Sequence, residues 1–348
     1  MVDVRELPWP VDWRRVFGRE APLALEIGFG NGQFLLEQAL ARPERDHLGI
    51  EVSWAGVTRL LRRLGKHDLG NVRGLLGDAD PALRHLFRSE SLAEVFLNHP
   101  CPWPKARHVG RRLLQPAGLR LLADRMRTGA KLTVVTDHAQ YADWLAGVLA
   151  AQDVLVSCHD SPEAPSIRGI EGRGPTKYQL KAMAAGLPLH VFEWKKERPT
   201  AGPTPADLDP STDMPSLILR GNRSSDGDLF DGFQPHVLRE THEGVEVTVR
   251  LAGAFVRAGG DRGGTWLVEV LVQEDALRQE FGVLVVERAN RDLLVKLSNL
   301  GHPHPTHGVK RAVHGVGAWI LRHHAGLELV HETLGQDATT ELRASGPS

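Results

Sequence analysis

The sequence predicts a doubly wound, mostly parallel α/β sheet over residues 1–198 and a smaller C-terminal α+β domain over residues 217–335. Three observations carry this prediction. From Leu23 to Leu149, short apolar runs alternate with segments of helical periodicity, the pattern of parallel strands joined by helical crossovers. The first run, Leu23 to Ile27, breaks into Gly28, Gly30 and Gly32 and reopens as a helix. Beyond a proline-rich linker at 199–216, Val245 to Val249 alternates with period two, and further strands follow.

Taken in order, residues 1–22 carry Trp9, Trp13 and Phe17 among charges and are expected to pack on the first domain. Strands are predicted at Leu23–Ile27, His47–Glu51, Val72–Leu76, Leu92–Leu97 and Ala130–Thr136. Helices are predicted at Gln33–Leu40, Trp54–Leu64, from Pro81 onward, from the end of the Asn98–Gly110 loop to Arg127, and at Tyr141–Leu149. In the helix from Trp54, Val57, Leu60, Leu61 and Leu64 share one face, while Arg59, Arg62 and Arg63 point to solvent. The second domain is assigned strands at Trp266–Val272, Gly282–Glu287 and Leu293–Leu297, a loop at Ala258–Gly264, a helix at Thr306–Leu321 and a tail at 336–348.

Bulk properties exclude several classes. A chain of 348 residues suits two domains, and 41% hydrophobic with 24% charged residues is ordinary for a globular protein. Cys101 and Cys158 are too few for a disulfide framework, so a reducing cytoplasm is the expected setting. Apolar runs fall short of the roughly 20 residues that span a bilayer, and no membrane partner is expected. His302, His304 and His307 are separated by prolines and joined by no cysteine or carboxylate at ligand spacing, so no metal is expected. The acidic stretch from Asp207 to Asp231 lacks calcium-loop spacing.

In a doubly wound sheet, ligands lie beyond the carboxyl ends of the strands. Glu26, Glu51, Asp78, Cys101 and Asp137 each fall at or just past a predicted strand end, which points to one shared site. A dinucleotide fingerprint would need glycine where Gln33 stands, and Glu26 would repel a pyrophosphate. A cofactor bearing an amino group and a sulfonium is instead helped by that carboxylate. Glu-x-Gly-x-Gly-x-Gly, from Glu26 to Gly32, resembles the first motif of S-adenosylmethionine-dependent methyltransferases. Glu51 is then placed for the ribose hydroxyls and Asp78 for the adenine amino group. Asp78 could alternatively act as a helix N-terminal acid worth ~0.5 kcal/mol.

The second informative stretch runs from Asn98 to Arg112. Pro100, Pro102 and Pro104 stiffen it, Trp103 offers a stacking surface, and Lys105, Arg107, Arg111 and Arg112 bring positive charge. That mixture suits phosphate contacts and base stacking. Here the chain resembles the bacterial tRNA (guanine-N(7))-methyltransferases that modify the variable-loop guanosine. The resemblance rests on Glu26 to Gly30, Gly49 to Glu51, Asp78-Ala79, Pro100 to Arg112, Thr136-Asp137 and Thr176 to Gln179. It covers roughly residues 20–197 and implies a Rossmann-like methyltransferase sheet in the long form with a C-terminal extension. It also implies S-adenosylmethionine as cofactor, bound by Glu26, Gly28, Gly30, Gly32, Glu51, Asp78, Ala79 and Asn98. tRNA is the implied partner, met by Trp103, Lys105, Arg107, Asp137, Thr176, Lys177, Tyr178 and Gln179.

Two departures bear on catalysis. Cys101 stands where the family has its catalytic aspartate, and Gln179 where it has a closing glutamate. Guanine N7 has an in-plane lone pair and needs no general base, so positioning supplies much of the rate. Alkylation makes the purine cationic, and losing one electrostatic partner costs about 3 kcal/mol. The expectation is a reduced but real activity, with Cys101 and Asp137 at the reacting position and Asp137 or Glu26 holding the remaining charge. Two alternatives stay open: a tRNA-binding protein that keeps the cofactor pocket without turnover, and a small-molecule methyltransferase.

Overall fold

The computed structural model describes residues 1–2, 7, 9–160, 184, 186, 188–200, 214–222, 228–242, 244–256, 264–275 and 277–334. Contacts between Cα atoms divide the chain into two units, Met1–Asp207 and Leu208–Ser348.

The first unit opens with α1 (Trp13–Phe17), whose Trp13 and Phe17 are buried. It continues β1 (Leu23–Ile27), α2 (Gln33–Ala41), β2 (Asp46–Glu51), α3 (Trp54–Leu64), β3 (Val72–Leu76), α4 (Ala79–His85), β4 (Leu92–Asn98), α5 (Pro116–Arg125), β5 (Met126–Thr136), α6 (Ala139–Ala150), β6 (Leu155–Ser157) and β7 (His190–Lys196). The sheet order is β3-β2-β1-β4-β5-β7-β6. β1 to β5 run parallel and β7 runs antiparallel to both its neighbours. This is the doubly wound sheet the alternation predicts, and its order reverses between β1 and β4. Leu25, Leu48, Val95, Leu132 and Val134 are fully buried, as strands covered on both faces require.

Boundaries shift where charge lies inside an element. The predicted helix reaching Arg127 stops at Arg125, because β5 begins at Met126. Arg125 is fully buried, pairing with Asp124 and donating from Nε to the Leu83 carbonyl at 2.8 Å. α3 keeps its predicted bounds, but Leu61 is exposed at the edge of the apolar face. Arg63, assigned to solvent, instead donates from Nε to the Asn31 carbonyl at 3.0 Å. β6 and β7 are short or polar runs that carry little alternation.

The second unit is one antiparallel sheet with a single described long helix. Its strands are β8 (Ser216–Gly221), β9 (His236–His242), β10 (Val245–Val256), β11 (Thr265–Glu274), β12 (Leu277–Glu287), β13 (Leu293–Leu297) and β14 (Leu327–Glu332). They lie in the order β14-β8-β13-β12-β11-β10-β9. Helix α7 (His307–His323) begins one residue later and ends two later than predicted. Val309, Ala312, Val313, Val316 and Ile320 pack with Val249, Val268, Val270, Val283 and Val295 in one core. Ser216, the last residue of the predicted linker, opens β8, and residues 201–213 lie outside the described set, as do the 336–348 tail and most of the 258–264 loop.

Candidate active site

The glycine turn is sewn to the end of β2. Gly28, Gly30 and Gly32 take φ of 74°, 57° and 70°, which residues with a Cβ rarely adopt. The Gly28 N–H donates to the Ile50 carbonyl at 2.8 Å, and the Gly30 N–H to Glu51 Oε2 at 2.8 Å. A Cβ at Gly28 or Gly30 would meet nothing within 4 Å, whereas one at Gly32 would strike Leu60 Cδ1 at 2.6 Å. The first two glycines therefore present bare backbone to open space, and the third lets α2 close on α3. Gly56 has a similar duty, since a Cβ there would lie 2.5 Å from the Gly30 carbonyl oxygen.

Around this turn the strand ends converge. Glu26 is 2% exposed, and its Oε1 accepts from Asn98 Nδ2 at 2.9 Å, tying β1 to β4 where the strand order reverses. Buried Glu51 also accepts at Oε1 from the Ser53 N–H at 2.9 Å, and its carbonyl from the Gly77 N–H at 3.1 Å. Asp78 is exposed and caps α4, accepting at Oδ1 from the Asp80 N–H at 3.0 Å, while Ala79 opens the helix. The helix-acid alternative for Asp78 thus describes a bond it makes. Two side chains without a chemical signal in the sequence, Val52 and Leu76, stand 67% and 41% exposed at the same strand ends. Leu76 is the register partner of Glu51. Their exposure shows only in the folded chain, since residue order alone does not report which apolar groups stay in water.

The proline-rich loop leaves β4 through His99 and Trp103, both at positive φ, 52° and 42°. The His99 N–H donates to the Val135 carbonyl at 2.7 Å, and its Nδ1 lies 3.3 Å from Asp137 Oδ1. Trp103 meets His108 edge-on, with the Arg111 guanidinium 5.1 Å above its ring. Cys101, Lys105, Arg107 and Arg111 are exposed. Arg112, grouped with them on charge alone, is buried: its Nε donates to the Pro102 carbonyl at 2.9 Å and its guanidinium lies 4.4 Å from the Trp144 ring. It builds the loop and is not a phosphate contact. His138 is spent on the cap of α6, its Nδ1 accepting from the Tyr141 N–H at 3.2 Å. Thr176, Lys177, Tyr178 and Gln179 lie outside the described residues. Among the described residues no cluster of three metal-type ligands occurs, and no helix is long and apolar enough to cross a membrane.

Comparison with known proteins places the chain in a family. A family model described as "Putative methyltransferase" matches residues 20–191. A tRNA (guanine-N(7)-)-methyltransferase of Thermus thermophilus is 34% identical over 338 residues, covering 95% of this chain and 99% of its own length. The chain belongs to the tRNA (guanine-N(7)-)-methyltransferase family. Members from Nocardia farcinica and Alkalilimnicola ehrlichii are 42% and 44% identical, covering 54% and 55% of this chain and 72% and 79% of themselves. The Thermus match spans both units, so the chain is a long-form methyltransferase of this family.

Proposed function

We propose that the chain transfers the methyl group of S-adenosylmethionine to N7 of a guanosine in the tRNA variable loop. The near-full-length likeness to the Thermus tRNA (guanine-N(7)-)-methyltransferase carries this reading. The donor set supports the cofactor. Open backbone at Gly28 and Gly30, buried Glu26 and Glu51, and the exposed apolar pair Val52 and Leu76 suit a ligand with an amino group, a ribose and a flat base.

When bound, S-adenosylmethionine would supply an electrophilic methyl group on a sulfonium, leaving as the neutral thioether while the positive charge is handed to the purine. Glu26 would hold the amino group, Glu51 the ribose, Asp78 and Ala79 the adenine edge, with Asn98 orienting Glu26. Lys105 and Arg107 would meet phosphates, and Trp103 would offer its ring to a base. Asp137, 37% exposed at the end of β5, would face the charge that develops on guanine, because Cys101 offers only a weakly polar thiol.

The test is methyl transfer to an unmodified tRNA transcript. Wild type should label it at guanosine N7, and Cys101→Asp should raise the rate roughly 10- to 100-fold. Exposed Cys101 in a catalytic aspartate's place also favours a second reading, an RNA-binding protein without turnover. Calorimetric binding of cofactor and tRNA with no label transferred would select it.

A further inference from the structure

We infer that His99 is a positioning residue that aims Asp137 at the reacting purine, an inference that rests on the methyltransferase reading above. The two consecutive residues at the end of β4 divide the work. Asn98 Nδ2 donates to Glu26, on the cofactor side, and His99 Nδ1 approaches Asp137, on the substrate side, at 3.3 Å. The His99 ring is 6% exposed and the Asp137 carboxylate 37%, so a buried group anchors an open one. An ionised carboxylate only accepts, so Nδ1 carries the proton and the imidazole is the donor.

The backbone is bent to make this contact. His99 sits at φ 52°, a left-handed conformation that disfavours any L-residue. It is held there by its N–H bond to Val135, on the strand that ends beside Asp137. Among the described residues, His99 is the one side chain that hydrogen-bonds Asp137. The adjacent His138 is turned away, its Nδ1 taken by the Tyr141 N–H and its own N–H by Thr136 Oγ1 at 3.2 Å. With Cys101 in the loop, Asp137 is the described carboxylate next to the basic lip, and its direction decides how well it meets a purine cation.

The test separates backbone from side chain. His99→Gly keeps the positive φ and deletes the ring. His99→Asn also tolerates positive φ and places an amide N–H near the position of Nδ1. In steady-state methyl transfer to tRNA, His99→Gly should lower kcat by ~10- to 100-fold, the scale of a misplaced reacting group, with the KM for S-adenosylmethionine unchanged. His99→Asn should restore most of that rate, and in a Cys101→Asp background the His99→Gly penalty should shrink. A His99→Gly enzyme as fast as wild type would overturn the assignment, as would His99→Asn no faster than His99→Gly, or a loss confined to cofactor KM. Thermal unfolding of each variant identifies any that is merely unfolded. Wild type that transfers no label would overturn the methyltransferase reading itself and this inference with it, which distinguishes the two failures.

Discussion

The two sheets use their carboxylates for different purposes. In the parallel sheet, Glu26 and Glu51 lie at strand ends, where they receive Asn98 and the amides of Gly30 and Ser53 around open space. In the antiparallel sheet, Glu274 ends β11 and is taken up by the start of α7, accepting from the Gly308 N–H at 2.8 Å and from the Thr306 hydroxyl. Glu240 similarly pairs with Arg311 at 2.9 Å and with His307. Parallel strands bring all their carboxyl ends to one rim, so polar groups accumulate where a ligand can reach them. Antiparallel strands alternate direction, and their polar ends are distributed to caps and pairs.

The largest test of this contrast lies at the opposite end of β2. Burial pushes the His47 imidazole down to about 4, with the nearby Arg42 and Arg45 charges adding to the effect. The unfolded chain then binds a proton below about pH 6.5 that the folded chain refuses. Stability from this group is complete above about pH 6.5 and is lost as pH falls toward 4, a change of up to about 3 kcal/mol. Urea unfolding at intervals across that window should show the loss, and His47→Leu should flatten it. An unchanged slope would remove His47 as the cause.

Glu26→Ala comes next. It removes the carboxylate to which Asn98 Nδ2 donates, and should weaken S-adenosylmethionine binding by roughly 2–3 kcal/mol in calorimetry. Retained affinity would move the amino-group contact elsewhere on the rim. Gly32→Ala combines positive φ with a 2.6 Å approach to Leu60 and should cost about 2 kcal/mol of stability. Gly28→Ala, with nothing within 4 Å, should cost about 1 kcal/mol and act instead on cofactor affinity. Equal losses at the two glycines would mean that the open cradle plays no part. The smallest effect is expected from Glu274→Ala: about 1 kcal/mol of stability through the α7 start, with cofactor affinity unaltered. A fall in cofactor affinity there would break the division of labour between the two sheets.

Much of the first unit could be read from residue order, because each of its signals is local. The run Leu23–Ile27, the glycine turn and the amphipathic Trp54–Leu64 segment keep their predicted bounds, and Leu293–Leu297 does so in the second unit. β6, β7, β8, β9 and β14 have no counterpart among the predicted strands: edge and near-edge strands such as His236–His242 alternate between half-buried and exposed positions and show little hydrophobic period. Charge likewise gave no warning that Arg112 and Arg125 are interior: Arg112 is held by the Pro102 carbonyl and the Trp144 ring, and Arg125 by the Leu83 carbonyl besides its neighbour Asp124.

Taken alone, the chain determined its glycine turn, the acids at successive strand ends and the family that its proline-tryptophan loop resembles, all encoded in contiguous residues. Tertiary structure decided which groups share a bond: Asn98 with Glu26, Gly30 with Glu51, Arg63 with Asn31 and His99 with Asp137. Those pairs lie 72, 21, 32 and 38 residues apart. Sheet order and crossover geometry close such distances, and no local periodicity records them.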